Sequence, residues 1–533
     1  MTSRLGQSRQ LKPLATEFVS LFIAVAIALF AVLAVMFAYT AFANNDSDAD
    51  KGASGLIASQ LASNATDASG NTVSGADLQF TQASSSATDA PGAGNSTDLN
   101  FQLLEPSLVP ASFIQLLLEP GQDTLAIAQM LLSVWDDSMV PMALETLHFS
   151  YDPEVNETLV ALLKLGTGQD FGDDTDAWYQ WWWRQPEIKH SHYSQFKASL
   201  YRIMDGKFVR YFEPQRRANI RLDEVRWGGV RQDGIPPLRQ PKMINAADAD
   251  YLGDDDVIFA LEYNGDARAY PKRILAWHEM FIDDIGGEEY AGVYCTLCGA
   301  VILYKTTFDG VQHALGTSGF LYRSNKLMYD KATQSLWSTT LGEPVVGPLA
   351  GKGIQLERSF VVTTTWGEWK ARHPQTKVLS LDTGYKRDYG EGVAYSDYFA
   401  TDELMFSVPA TDDRLPNKAE ILALQFPSVS EERVAVHADF LAKNPLFNHN
   451  VGGQKIVILT DGSGANRVYD AGNAEFVSYD GGSQVVDKAG RLWLLQEEAL
   501  VSQDGAQTAA RLPAHRAFWF GWQAVHRDTQ LIM

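Results

Sequence analysis

The sequence predicts an α+β protein with a transmembrane helix, a disordered linker, a small α-helical unit, and a β-rich domain of two internally repeated halves in a pseudo-twofold relation. Three observations predict it. An uncharged apolar run spans Phe18 to Phe42, apolar residues recur three and four apart between about 101 and 215, and short runs of Val, Ile, Tyr and Thr broken by Gly and Asp fill the rest.

Taken in order, residues 1–17 carry Arg4, Arg9 and Lys12 ahead of the apolar run, and Asp46, Asp48 and Asp50 follow it. The run (18–42) is long enough to cross a hydrocarbon core of about 30 Å as a helix. The positive-inside bias makes residues 1–17 a cytoplasmic tail and places the bulk outside, a single-pass protein of the inner (cytoplasmic) membrane with a periplasmic body. Ala41-Phe42-Ala43 offers a competing signal-peptide cleavage site, but the apolar run exceeds the 7 to 15 residues of such a region. Residues 43–100 are rich in Ser, Ala, Asp, Asn, Gly and Thr, a composition that cannot bury enough apolar surface to offset ordering entropy, and read as a disordered linker. The net charge of −22 repels phosphate backbones and excludes nucleic acid as a partner class.

Residues 101–215 form the helical unit, HEAT-like or a small bundle, and a candidate surface for a cell-envelope protein partner. In PEVNETLVALLKL, Asp152 is the expected N-cap, Pro153 the first helical residue, and Gly166 the stop. Asp173, Asp174 and Asp176 precede Trp178 and the run Trp181-Trp182-Trp183. Three acids can hold a cation, but acids in a first turn ordinarily serve the helix dipole.

The β-rich region divides into 220–400 and 401–533, and the two parts match in order. VIFAL (257–261) faces EILAL (420–424), and ILAWHEMFIDDIGG (274–287) faces FLAKNPLFNHNVGG (440–453). Gly299-Ala300 and Tyr304 match Gly464-Ala465 and Tyr469, and DKATQSLW matches DKAGRLW. Trp366, Trp369, Ala371, His373 and Thr376 match Trp519, Trp522, Ala524, His526 and Thr529. What both halves keep is scaffold, so the shared tryptophans and histidines fall on the structural side.

What only one half keeps is a candidate for chemistry. His278 and Glu279 face Asn444 and Pro445, while Cys295 and Cys298, the two cysteines of the chain, face Thr460 and Ser463. The first half also carries an insert, HALGTSGFLYRSNKLMYD, whose Ser318, Tyr322, Arg323, Asn325 and Asp330 are candidate substrate-binding residues.

With CTLCGAVILY, NGDARAYPKRILAWHE, GTSGFLYRSNKLMYDKATQSLWS and TWGEWKARHPQT in view, the chain from about 220 to 400 resembles the DUF3179 family, whose function is unknown. The resemblance implies an extracytoplasmic, often membrane-associated protein and no established reaction.

The CxxC segment admits three readings. Thiolates on a tight turn with His278 suit copper or zinc, and Glu279 or Asp283 or solvent would complete the set. A dithiol–disulfide pair would make a redox protein, although such motifs usually lead into a helix and AVILYK reads as a strand. An inert disulfide in a hairpin is the third, and its short loop contributes little by chain entropy. His278-Glu279-Met280 does not extend to an HExxH motif, because position 282 is Ile. The expected function is a metal-binding or thiol-redox protein, enzyme or not, with a non-catalytic binding or assembly module braced by its cysteines as the alternative.

Overall fold

The computed structural model describes residues 105–121 and 123–533. The tail (1–17), membrane helix (18–42), linker (43–100) and first four residues of the helical unit therefore lie outside the described residues. Among the described residues no helix is long and apolar enough to cross a membrane.

Among the described residues six α-helices build the helical unit, the longest over Pro153–Thr167. Its cap is the expected one: the Asp152 carboxylate accepts from the Glu154 and Val155 amides, satisfying two of the donors a helix start leaves free. Its end differs. The helix runs through Gly166 and closes at Gly168, which takes the left-handed conformation. Gly166 is small for another reason: a Cβ there would meet the Trp135 ring at 2.2 Å. Asp174 caps Thr175–Trp183 by accepting from the Ala177 amide, so the aspartate run starts a helix. That helix buries Trp178, Trp182 and Trp183, and Trp182 Nε1 donates to Asp223 Oδ2 at 2.7 Å.

The helices pack against a five-stranded antiparallel sheet, ordered Val225–Trp227, Leu315–Tyr322, Asn325–Asp330, Leu336–Ser338, Glu343–Val346. Phe320, Tyr322, Leu327, Tyr329 and Leu336 join one core with Trp178, Phe196 and Tyr201. Large aromatics so buried each contribute about 1.5–3 kcal/mol, which ties the helical unit to the sheet.

Beyond that sheet the fold is mixed α+β with several small sheets. Asn264 and Gly265, both at positive φ, close the hairpin Val257–Tyr263/Asp266–Pro271, as NGD predicts. Val362–Thr365 joins it antiparallel and Lys377–Leu379 parallel. Residues 420–532 contain a sheet of the same order and sense: Glu420–Gln425 and Arg433–His437 antiparallel, His515–Phe518 antiparallel outside the first, Gln530–Ile532 parallel outside the second. The shared Trp-x-x-Trp segments are short helices, Trp366–Arg372 and Trp519–Val525. Trp369 Nε1 donates to Thr376 Oγ1 at 2.9 Å, and Trp522 Nε1 to Thr529 Oγ1 at 3.0 Å. His373 and His526 lie tilted against those tryptophans, with ring centroids 4.0 and 4.1 Å apart.

Candidate functional site

Cys295 ends the strand Glu288–Cys295, and Ala300 starts the next, Ala300–Lys305, so the CxxC is the loop of a β-hairpin. The two cysteines are bonded to each other, with Cα atoms 5.4 Å apart. They are 3% and 1% exposed. The second half covers them. Phe518 N–H donates to the Cys298 carbonyl at 2.7 Å, and a Cβ on Gly521 would lie 2.7 Å from Cys298 Cβ. Leu297, Trp519 and Trp522 complete one apolar cluster around the disulfide.

Glu279 supports the loop from below. It caps the helix Lys272–His278 in the left-handed conformation, and its carbonyl accepts from the Tyr294 amide at 2.9 Å. Its Oε1 accepts from Thr296 Oγ1 at 2.8 Å and its Oε2 from Lys326 Nζ at 2.8 Å. Lys326 is buried, and burial pulls its ammonium below the usual lysine value while Glu279 opposes that shift. Tyr395 adds its hydroxyl to the same carboxylate at 3.3 Å, and Tyr398 donates to the Leu297 carbonyl at 2.8 Å.

His278 is not turned to the cysteines. Nδ1 donates to the Pro236 carbonyl at 2.8 Å and Nε2 accepts from Tyr389 Oη at 2.6 Å, which fixes the tautomer. Burial also holds its imidazole below the ordinary value. With sulfurs joined, both imidazole nitrogens engaged and the Glu279 oxygens bonded to Thr296 and Lys326, the four residues do not form a ligand set. Asp283, the other suggested ligand, accepts from Tyr270 at 2.7 Å. Among the described residues no three His, Cys, Asp or Glu side chains converge to hold a metal ion.

The five residues of the insert do not share a pocket. Ser318 Oγ donates to the Leu327 carbonyl at 2.6 Å, and Tyr322 lies in the core under the helices. Asp330 accepts from the Thr333 amide at 2.7 Å and faces His313. Arg323 and Asn325 instead grip the second half: Arg323 Nη1 donates to the Ala524 carbonyl at 3.0 Å and Asn325 Nδ2 to the Gly521 carbonyl at 2.9 Å. Arg323 and Ser324 both take positive φ to make that tight turn. Sequence reasoning missed Lys326, Thr296 and Gly521. Gly521 alone left a signal, since the glycine of FWFGW stands where TWGEW has Glu368.

The ladders also correct the pairing of the halves by one residue. Met280 pairs with Val293 and Leu446 with Leu459, and Tyr304 and Tyr469 hold matching places on the following strand. Cys295 therefore answers to Asp461, not Thr460, and the second hairpin loop is one residue shorter. Asp461 closes that loop itself: Oδ1 accepts from the Ser463 amide (3.0 Å), Ser463 Oγ (2.7 Å) and the Ala465 amide (3.2 Å).

No curated protein and no solved structure matches the chain. A family model described as "Protein of unknown function (DUF3179)" matches residues 232–529, more than half of the chain and both halves of the β-rich region. The chain belongs to the DUF3179 family.

Proposed function

We propose that the protein is a membrane-tethered, extracytoplasmic, non-catalytic binding or assembly module whose cysteines are a structural brace. One observation carries this: the loop that the Cys295–Cys298 disulfide closes in the first half is closed in the second by the Asp461 carboxylate. Two chemistries serving one geometric need favour a scaffold role for both. A redox catalyst would need one sulfur open to a partner thiol, whereas both sulfurs here sit under Phe518 and Gly521.

The matched strand orders, the matched Trp–Thr hydrogen bonds and the matched Trp–His contacts support a duplicated β-rich unit with a pseudo-twofold relation. The apolar run at 18–42 supports anchoring in the inner membrane, and the helical unit supplies the surface for an envelope partner.

Metal and thiol content of the full-length protein purified without reductant tests the reading. The expected result is no stoichiometric copper or zinc, no thiol titrated in the folded or the unfolded chain until a reductant is added, and a folded Cys295→Ser, Cys298→Ser double variant. Stoichiometric metal, or a thiol that titrates in the folded protein, would overturn it.

A further inference from the structure

The shared histidines occupy matched places, but their surroundings diverge. His526 is buried, and burial with Arg433, Arg358 and His515 nearby pushes its imidazole down to about 2. On the matched central strand stands Gln425, whose Oε1 accepts from Arg358 Nη1 at 3.2 Å. Arg358 and Gln425 line two spaces, one of about 10 Å³ against His515 and one of about 290 Å³ against Gln355 and Phe426, and His526 lines neither.

In the first half the register puts Glu262 where Gln425 stands. His373 lies between two carboxylates: Nδ1 is 3.7 Å from Glu262 Oε2 and Nε2 is 3.6 Å from Glu497 Oε1. Glu497 is 3% exposed and held from behind by Arg467 (2.9 Å) and Arg511 (3.1 Å). Arg511 is the counterpart of Arg358, since each pairs with the matched tyrosine, Tyr469 or Tyr304. In front of this group opens a cleft of about 520 Å³, walled by Glu262, Arg372 and His373 from one half and Ser483 and Leu495 to Glu498 from the other.

The charges leave a remainder of one sign. Arg467 and Arg511 are committed to Glu497, and Arg372 to Glu368 at 2.9 Å with Asp461 at 3.7 Å. Among the described residues nothing donates a hydrogen bond to the carboxylates of Glu262 or Glu498. Burial raises the Glu262 carboxyl, His373 opposes that shift, and Glu497 and Glu498 add to it. A bare metal ion does not suit the arrangement, because the imidazole ring stands between Glu262 and Glu497 and keeps them from one coordination point.

We infer that this cleft is a binding site for a small organic ammonium, whose N–H donors span Glu262 and Glu498 across the face of His373. The matched place in the second half is its internal contrast: a glutamine bonded to an arginine where the first half has a glutamate. Where the second half places a neutral side chain, the first places an acidic one at a cleft between the halves. The inference goes beyond the assembly role proposed above and stands apart from the disulfide.

Equilibrium dialysis of the full-length protein with radiolabelled 1,4-diaminobutane at low and physiological salt tests it, with tetramethylammonium and calcium as competitors. The expected result is saturable binding of one diamine per chain that neither competitor displaces at equal concentration, weakened about tenfold or more in a Glu262→Gln, Glu498→Gln variant, a loss of about 1.4 kcal/mol. The competitor arm uses the wild-type protein and stands even if the variant melts early. No saturable binding, equal displacement by tetramethylammonium or calcium, or undiminished binding by a folded variant would each overturn the inference; the middle result would mean diffuse attraction to an acidic surface.

Discussion

Residues 257–379 and 420–532 run the same strand order, carry the same Trp–Thr hydrogen bond and set the same histidine against the same tryptophan, yet one hairpin loop ends in a disulfide and the other in an aspartate turn. By sequence alone the cysteines are an addition to a scaffold that manages without them. The proposed brace role reverses that. Phe518 and Gly521 dock on the first loop, and Asp461 of the second anchors Arg467 at 2.6 Å. A residue present in only one copy is thus not thereby functional; its counterpart can meet the same need by other chemistry.

The comparison breaks most sharply at Glu279. In the second half Pro445 takes its place and keeps only the backbone hydrogen bond, Thr460 N–H to the Pro445 carbonyl at 2.8 Å. In the first half the carboxylate pairs with buried Lys326, so Glu279→Ala leaves that amine without its partner and lowers unfolding stability by about 3–5 kcal/mol. Chemical denaturation measures it, and a loss under about 1 kcal/mol would mean that the pair does not support the loop.

The histidines give the next effect. His515 and His526 are held to about 3 and about 2 in the folded chain, against 6.5 when free, so the unfolded state takes up protons that the folded state refuses. Their contribution is complete above pH 6.5 and is lost as pH falls through that value toward 3, at about 1.4 kcal/mol per pH unit for each. The urea midpoint of the wild type should fall between pH 6.5 and 5, and a His526→Gln variant should show a slope shallower by one proton. Parallel slopes would contradict a sealed, neutral His526.

The smallest effect sharpens the comparison rather than breaking it. Thr376→Val and Thr529→Val each leave a buried tryptophan N–H without its acceptor, at about 1–3 kcal/mol. Equal losses, within a few tenths of a kcal/mol, are expected if the two positions are one piece of scaffold used twice, and unequal ones would separate them.

Much of this fold was legible. Asp152-Pro153 marked a helix start, Asn264-Gly265 a hairpin, and the recurring Trp-x-x-Trp two matched helices, because caps, turns and periodicity act over a few residues. The site was less so. His278 turns to Pro236 and Tyr389, 42 and 111 residues away, and nothing near position 278 announces either partner. The one-residue difference between the hairpin loops hid the match of Cys295 with Asp461, since an ungapped comparison places Thr460 there. The family match reaching residue 529 likewise joins the second half to the motifs of the first, which stop near residue 400.

The rate at which dithiothreitol reduces Cys295–Cys298 in the folded protein tests the brace most directly. A buried brace is reduced only when the chain opens, so the rate should rise with urea in step with unfolding and be negligible in its absence. Fast reduction at a urea-independent rate, with the fold intact, would contradict it and return the CxxC to the thiol-redox reading.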